Sequence, residues 1–62
     1  MNKKFRLVYR TPGVGYDEYY VHEKVFREAK RKLLALIQIG QDPERFEEYV
    51  PKKGWTEKIT DF

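Results

Sequence analysis

Hydrophobic and polar residues alternate strictly from Lys3 to Arg10, so an extended chain carries Phe5, Leu7 and Tyr9 on one side and Lys4, Arg6, Val8 and Arg10 on the other. A period of two with one apolar side predicts a half-buried strand. Thr11-Pro12-Gly13-Val14-Gly15 interrupts it. Proline lacks a ladder donor and glycine tolerates positive φ, which predicts a hairpin loop. From Tyr16 to about His22 the chain is rich in β-favouring Tyr and Val and reads as the return strand. Pairing with the first strand puts Tyr19 and Val21 on the core side and Glu18, Tyr20 and His22 on the open side.

The period then lengthens. Between Glu23 and Ile39, the residues Val25, Phe26, Ala29, Leu33, Leu36 and Ile37 recur at helical intervals and predict one long helix with a broad apolar stripe. Glu23 with Arg27 and Glu28 with Lys32 stand at i,i+4 spacing, and Gly40 is placed to end the helix. Its start, near His22, lacks a good N-cap. Asp42-Pro43-Glu44 combines a capping oxygen, a proline suited to the first helical position and an acid in the first turn. This predicts a short second helix to about Glu48, with Phe46 and Tyr49 folding back onto the core. Val50 to Gly54 reads as a loop, and Trp55 to about Thr60 alternates again as a third strand, with Trp55, Glu57 and Ile59 on one side.

That order predicts an α+β fold, a small two-layer ββα(α)β domain whose three-stranded, mainly antiparallel sheet carries the long helix on one face. The last strand is expected beside the first, reached by a right-handed split β-α-β crossover. The expected core is Phe5, Leu7, Tyr9, Val21, Val25, Phe26, Leu33, Leu36, Ile37 and Ile59. One sheet face stays uncovered.

Composition then narrows the chemistry. A chain of 62 residues reads as a single domain, 1–62, with marginal stability because so short a chain buries only about 60% of its surface. It contains no Cys and no Ser, which excludes disulfide staples and thiolate metal sites and leaves Thr11, Thr56 and Thr60 as the hydroxyl nucleophiles. The expectation is a non-catalytic protein without cofactor or metal. The clustered acids Asp42, Glu44, Glu47 and Glu48 lack calcium-loop spacing and read as the acidic first turn of the second helix. Gly13-Val14-Gly15 joins two strands and reads as a turn, since a phosphate loop leads into a helix. No apolar run approaches the roughly 18 residues of a membrane span, and no signal-peptide core follows Met1. The expected location is cytoplasmic, as an unprocessed chain with no membrane contact.

Charge distinguishes the two ends. The formal net charge is +3, but residues 1–34 carry +5 and residues 35–62 carry −2. Such a polarity can steer association with an acidic partner or a phosphate backbone. Two sets of residues are candidate binding surfaces. On the open sheet side, Arg6, Arg10, Tyr20 and His22, with Lys4 and Val8, mix cations with rings as single-stranded nucleic-acid platforms do. Solubility and β-propensity alone also account for these residue types. On the helix exterior, Lys24, Arg27 and Arg31 form a basic ridge flanked by Lys30 and Lys32, which equally suits a solvated helix face. His22 is the only histidine and reads as a surface residue at a strand-to-helix junction.

Ten aromatic rings exceed what so small a core can enclose, so Tyr16, Tyr49, Trp55 and Phe62 are expected to be partly exposed. Exposed Tyr and Trp favour a binding surface. Hairpin, helix and final strand in about sixty residues is similar in size and order to small phage-encoded proteins that bind and inhibit a host enzyme, and no motif adds to that analogy. The primary expectation is a binding or regulatory module that docks a partner protein. The alternatives are a nucleic-acid-binding module using Arg6, Arg10, Tyr20 and the ridge, and a homodimer paired through a sheet edge or through Val8, Leu34 and Ile39.

Overall fold

The computed structural model describes residues 2–59. The alternating N-terminal segment forms β1 (Lys3–Thr11), which turns back into β2 (Gly15–Glu23). Pro12 and Gly13 occupy the turn, closed by the Val14 N–H donating to the Thr11 carbonyl at 2.9 Å. Gly13 has φ +82, the left-handed region that glycine enters without Cβ strain. The antiparallel register sets Phe5 opposite Val21, Leu7 opposite Tyr19 and Arg6 opposite Tyr20, the faces expected from the alternation.

The helix, α1 (Phe26–Leu36), is 11 residues long and shorter than the periodicity suggests. At its start, β2 continues through Glu23 opposite Lys3, so the first helical turn waits until Val25, which acts as N-cap without a side-chain hydrogen bond. At its end, Ile37 already has extended backbone, and Gly40 (φ +91) serves the following turn instead of capping the helix. Exposure corrects the expected stripe: Val25 is 54% and Leu36 47% exposed. Neither expected i,i+4 pair forms among the pairs observed. Glu28 meets Arg31 at 2.9 Å, and Glu23 reaches Lys32 across from β2 to α1.

The largest departure lies in residues 42–50. The expected second helix is instead a strand, β3 (Asp42–Val50), antiparallel to β1, with Leu7 opposite Phe46 and Arg6 opposite Glu47. A helix here would bury little beyond Phe46, whereas a strand completes a ladder with β1 and drives Phe46 into the core with no solvent exposure. The helix-start signal is accommodated by a β-bulge. Arg45 faces Val8 and Pro43 faces Tyr9, leaving Glu44 as the extra residue, and bulges and strand starts are where a strand tolerates proline.

The final strand, β4 (Gly54–Lys58), pairs with β3 and not with β1. The sheet therefore has four strands, not three, in the order β2-β1-β3-β4, all neighbours antiparallel. The expected crossover survives with a different strand at its end: β2 and β3 flank β1 and are linked through α1. Ile59, expected in the core, is 87% exposed, and Thr60 and Phe62 lie outside the described residues.

Phe5, Leu7, Ala29, Leu33 and Phe46 form the buried cluster between helix and sheet, with Tyr19, Val21, Phe26, Leu34 and Ile37 packed against it. Phe26 links the layers, 5.9 Å from the Phe5 ring and 5.5 Å, edge-on, from that of Phe46. At one end Tyr9 stacks on Tyr19 at 4.5 Å, and the Tyr19 hydroxyl donates to Gln41 Oε1 at 3.1 Å. Its hydrogen bond with Tyr19, followed by burial, pushes the Tyr9 phenol up to about 12.

The β3–β4 turn repeats the first hairpin. Lys53 N–H donates to the Val50 carbonyl at 3.0 Å, Pro51 takes the position of Pro12, and Lys52 takes that of Gly13 with φ +74. This is the signature of a type II turn, whose third residue favours glycine.

Two predictions follow from packing and strain. Phe46→Ala should cost about 3–5 kcal/mol, enough to unfold a domain this small, whereas Leu36→Ala should change stability by under about 1 kcal/mol. Urea denaturation followed by circular dichroism measures both. Lys52→Gly should raise the unfolding free energy by about 1 kcal/mol and with it the urea midpoint, the relief of left-handed strain exceeding the entropy cost of glycine; a lower midpoint would show that the turn is not strained there.

Candidate functional site

Helix α1 covers one face of the sheet, and the other carries a row of side chains from all four strands. Alternation places them. Lys4, Arg6, Val8 and Arg10 come from β1, Glu18, Tyr20 and His22 from β2, Arg45, Glu47 and Tyr49 from β3, and Trp55 and Glu57 from β4. At the centre, Arg6 Nε donates to Glu47 Oε1 at 2.5 Å, and Arg45 Nε to Glu47 Oε2 at 3.3 Å. Both carboxylate oxygens are thus engaged, although Glu47 is only 8% exposed.

Burial opposes the charge on Glu47, but the hydrogen bonds and charges of Arg6 and then Arg45 outweigh it and hold the carboxyl below its ordinary range. Burial likewise opposes the charge on Arg6, and Glu47 together with Tyr20 more than restores it. Glu57 stands directly opposite Glu47 across β3 and β4, an unfavourable pair that the two guanidinium groups offset.

Trp55 lies over this ion pair. Its ring centre is 4.1 Å from the Arg6 guanidinium carbon, 5.8 Å from the Tyr20 ring and 5.5 Å from the Tyr49 ring. Lys4 Nζ sits 5.3 Å from Tyr20 and 5.8 Å from Trp55. These distances fall in the range of cation–π attraction. Tyr20 and Tyr49 are 47% and 46% exposed, so the three rings form a platform open to solvent. The Tyr20 hydroxyl donates to Glu18 at 2.9 Å.

Two depressions border the platform. One of about 330 Å³ lies along Arg6, Val8, Tyr16, Glu18 and Arg45. Another of about 550 Å³ lies at the opposite end, beside Lys4, His22 and Tyr49.

Of the residues singled out from sequence, Arg6, Arg10, Tyr20 and His22 therefore share the uncovered face, while Arg27 and Arg31 lie on α1; Lys24 precedes the helix, which begins only at Phe26, so it does not belong to the expected helical ridge. Arg6 proves to be the anchor of an ion pair and not a free contact group. The ridge is also less basic than its spacing suggests, because Arg31 and Lys32 are engaged by Glu28 and Glu23. The expected acidic first turn dissolves with its helix: along β3 the carboxylates of Glu47 and Glu48 point to opposite faces, Glu48 meeting Lys58 at 3.5 Å. Among the described residues, no group of three or more His, Asp or Glu side chains is placed to hold a metal ion, and no helix is long and apolar enough to cross a membrane.

Trp55 and Tyr49 were expected only as partly exposed aromatics and Glu47 only as part of an acidic cluster, none of them placed in the open-face set, and Arg45 was not among the sequence candidates. Their signal was present in the alternation of Arg45, Glu47 and Tyr49 with Phe46 and Glu48, obscured by the helix-start tripeptide before it. Fold and site together define a small α+β sheet protein with an aromatic platform built over an ion pair. Comparison of the chain with protein-family models, curated proteins and solved structures gives no match.

The ion pair gives a pH dependence of definite sign. Because the folded state lowers the Glu47 pKa, its contribution is fully present above the ordinary carboxylate range and is lost as pH falls through the lowered folded value. Glu47→Gln should cost about 2 kcal/mol at neutral pH and flatten the acid limb, the two proteins converging at low pH. Urea denaturation across a pH series tests this, and parallel curves at every pH would contradict it.

Proposed function

We propose that this protein is a non-catalytic binding or regulatory module that docks a partner protein on the uncovered sheet face, with Trp55 as the central anchor. The observation that carries this reading is the Tyr20–Trp55–Tyr49 platform, half exposed yet fixed from below by Arg6. Tyr, Trp and Arg are the residues on which binding energy concentrates at protein interfaces. A platform already held in place loses little side-chain entropy on association.

The same face favours a protein over a nucleic acid. Arg6 spends its charge on Glu47, and Glu18 and Glu57 stand on the surface a phosphate chain would have to cross. The homodimer reading loses two of its three contact residues, since Val8 is buried beneath the open face and Leu34 packs on the core.

Affinity capture with the whole chain as bait tests the proposal, with Trp55→Ala and Tyr20→Ala on the platform and Arg27→Glu on the helix exterior as variants. The expected result is a saturable partner whose affinity falls at least about tenfold with either platform variant and changes little with Arg27→Glu. Circular dichroism verifies that each variant is folded. A partner retained by Trp55→Ala and lost with Arg27→Glu would move the site to the helix and overturn the proposal.

A further inference from the structure

The platform ends in a cleft whose charge specifies the partner more closely. Where β1 begins, β2 ends and β3 runs into its turn, Lys3, Lys4, His22, Glu48, Tyr49 and Pro51 border the depression of about 550 Å³. That volume is within the range of small-ligand and side-chain pockets. The register sets Lys4 opposite His22 on the open side and Lys3 opposite Glu23 on the helix side, and both lysines border the end of the sheet. The nearby carboxylates are already engaged: Glu23 holds Lys32 of the helix, and Glu48 meets Lys58 at 3.5 Å. Among the described residues, no ion pair engages Lys3 or Lys4. The Lys4 ammonium, near both Tyr20 and Trp55, is common to cleft and platform.

Resting on the docking reading, we infer that the occupant is an acidic segment of the partner protein, with carboxylates at Lys3, Lys4 and His22 and an adjoining apolar or aromatic side chain on Tyr49, Pro51 and Trp55. A carboxylate in the cleft gains charge-assisted hydrogen bonds from two ammonium groups that have no other acid. The neighbouring rings and proline offer stiff apolar area to the next residue. A polynucleotide would also satisfy the cations, but it carries a charge at every nucleotide and would continue past the cleft toward Glu18 and Glu57. A peptide can be acidic at one end alone, which matches a face that is cationic at one end and mixed elsewhere.

Trp55 is the only tryptophan, so its fluorescence reports occupancy of the face directly. The full chain is titrated with the acetylated peptide Glu-Glu-Phe-Glu-Glu, with its Lys-for-Glu counterpart, and with a short oligothymidylate. The expected result is a saturable Trp55 response to the acidic peptide, absent with the basic one, weakened about tenfold or more by Lys4→Glu, and reduced by added salt. Lys3→Glu is the second variant, since it removes a cleft cation without touching the platform; it should weaken the peptide as well.

An equal response to the basic peptide, indifference to both variants, or tighter binding of the oligothymidylate would each overturn the inference. Failure here is separable from failure of the docking reading. A captured partner that depends on Trp55 but ignores Lys3→Glu and Lys4→Glu leaves docking intact and removes the acidic segment.

Discussion

Phe46 packed against Leu7 and beneath Phe26 is the contact on which the rest of the structure depends. It determines that residues 42–50 run beside β1 as a strand. Once they do, β1 is bounded on both sides, and its alternate residues acquire different surroundings. Phe5 and Leu7 close against α1, while Arg6 is held beneath Trp55 on the other face. The next residue in β3, Glu47, must then point away from Phe46 and toward Arg6. The hydrophobic core and the ion pair are two sides of one strand pairing.

The ion pair in turn gives the open face its shape. A bare arginine on an exposed sheet samples many rotamers, but Glu47 restrains Arg6 and makes a flat cationic support for the indole of Trp55. Trp55 comes from β4, the strand farthest from Tyr20, and still reaches that ring across the face. The platform therefore ties the two edges of the sheet together on the side that lacks a helix. The cost is a carboxylate held in a mostly buried position, tolerable because two guanidinium groups neutralise it.

The first half of the chain was readable because local and tertiary preferences agree there: alternation in Lys3 to Arg10, turn chemistry at Pro12-Gly13, and a stripe that includes Phe26, Ala29 and Leu33. The second half misled because they conflict. Asp42-Pro43-Glu44 is a strong local helix start, overruled by a bulge that takes up Glu44 and by the burial of Phe46. One sequence signal could have corrected it. Thr11-Pro12-Gly13-Val14-Gly15 and Val50-Pro51-Lys52-Lys53-Gly54 share proline and glycine at the same spacing, and both close hairpins with the first residue of each segment paired to its glycine. Lys52 hides the likeness by standing where the first turn has glycine. Reading the second segment as a hairpin requires a strand on each side of it, which makes 42–50 extended and brings Tyr49 and Trp55 together.

The charge polarity found along the sequence likewise changes meaning in three dimensions. The +5 of the first half is not a single patch, because β1 sends Lys4, Arg6 and Arg10 to the open face whereas Arg27 and Arg31 lie on α1. Even the shortest extent of the molecule is 18 Å, about two Debye lengths at physiological salt. The ridge is therefore largely screened from anything seated on the opposite face. It can neither strengthen docking there nor compete for it except at low salt. The electrostatics of the open face are local: Lys4 outside any ion pair at one end, a neutralised carboxylate at the centre, and Glu18 and Glu57 beyond. The character of that face rests on the order of those groups along the sheet, which the net charge of +3 does not express.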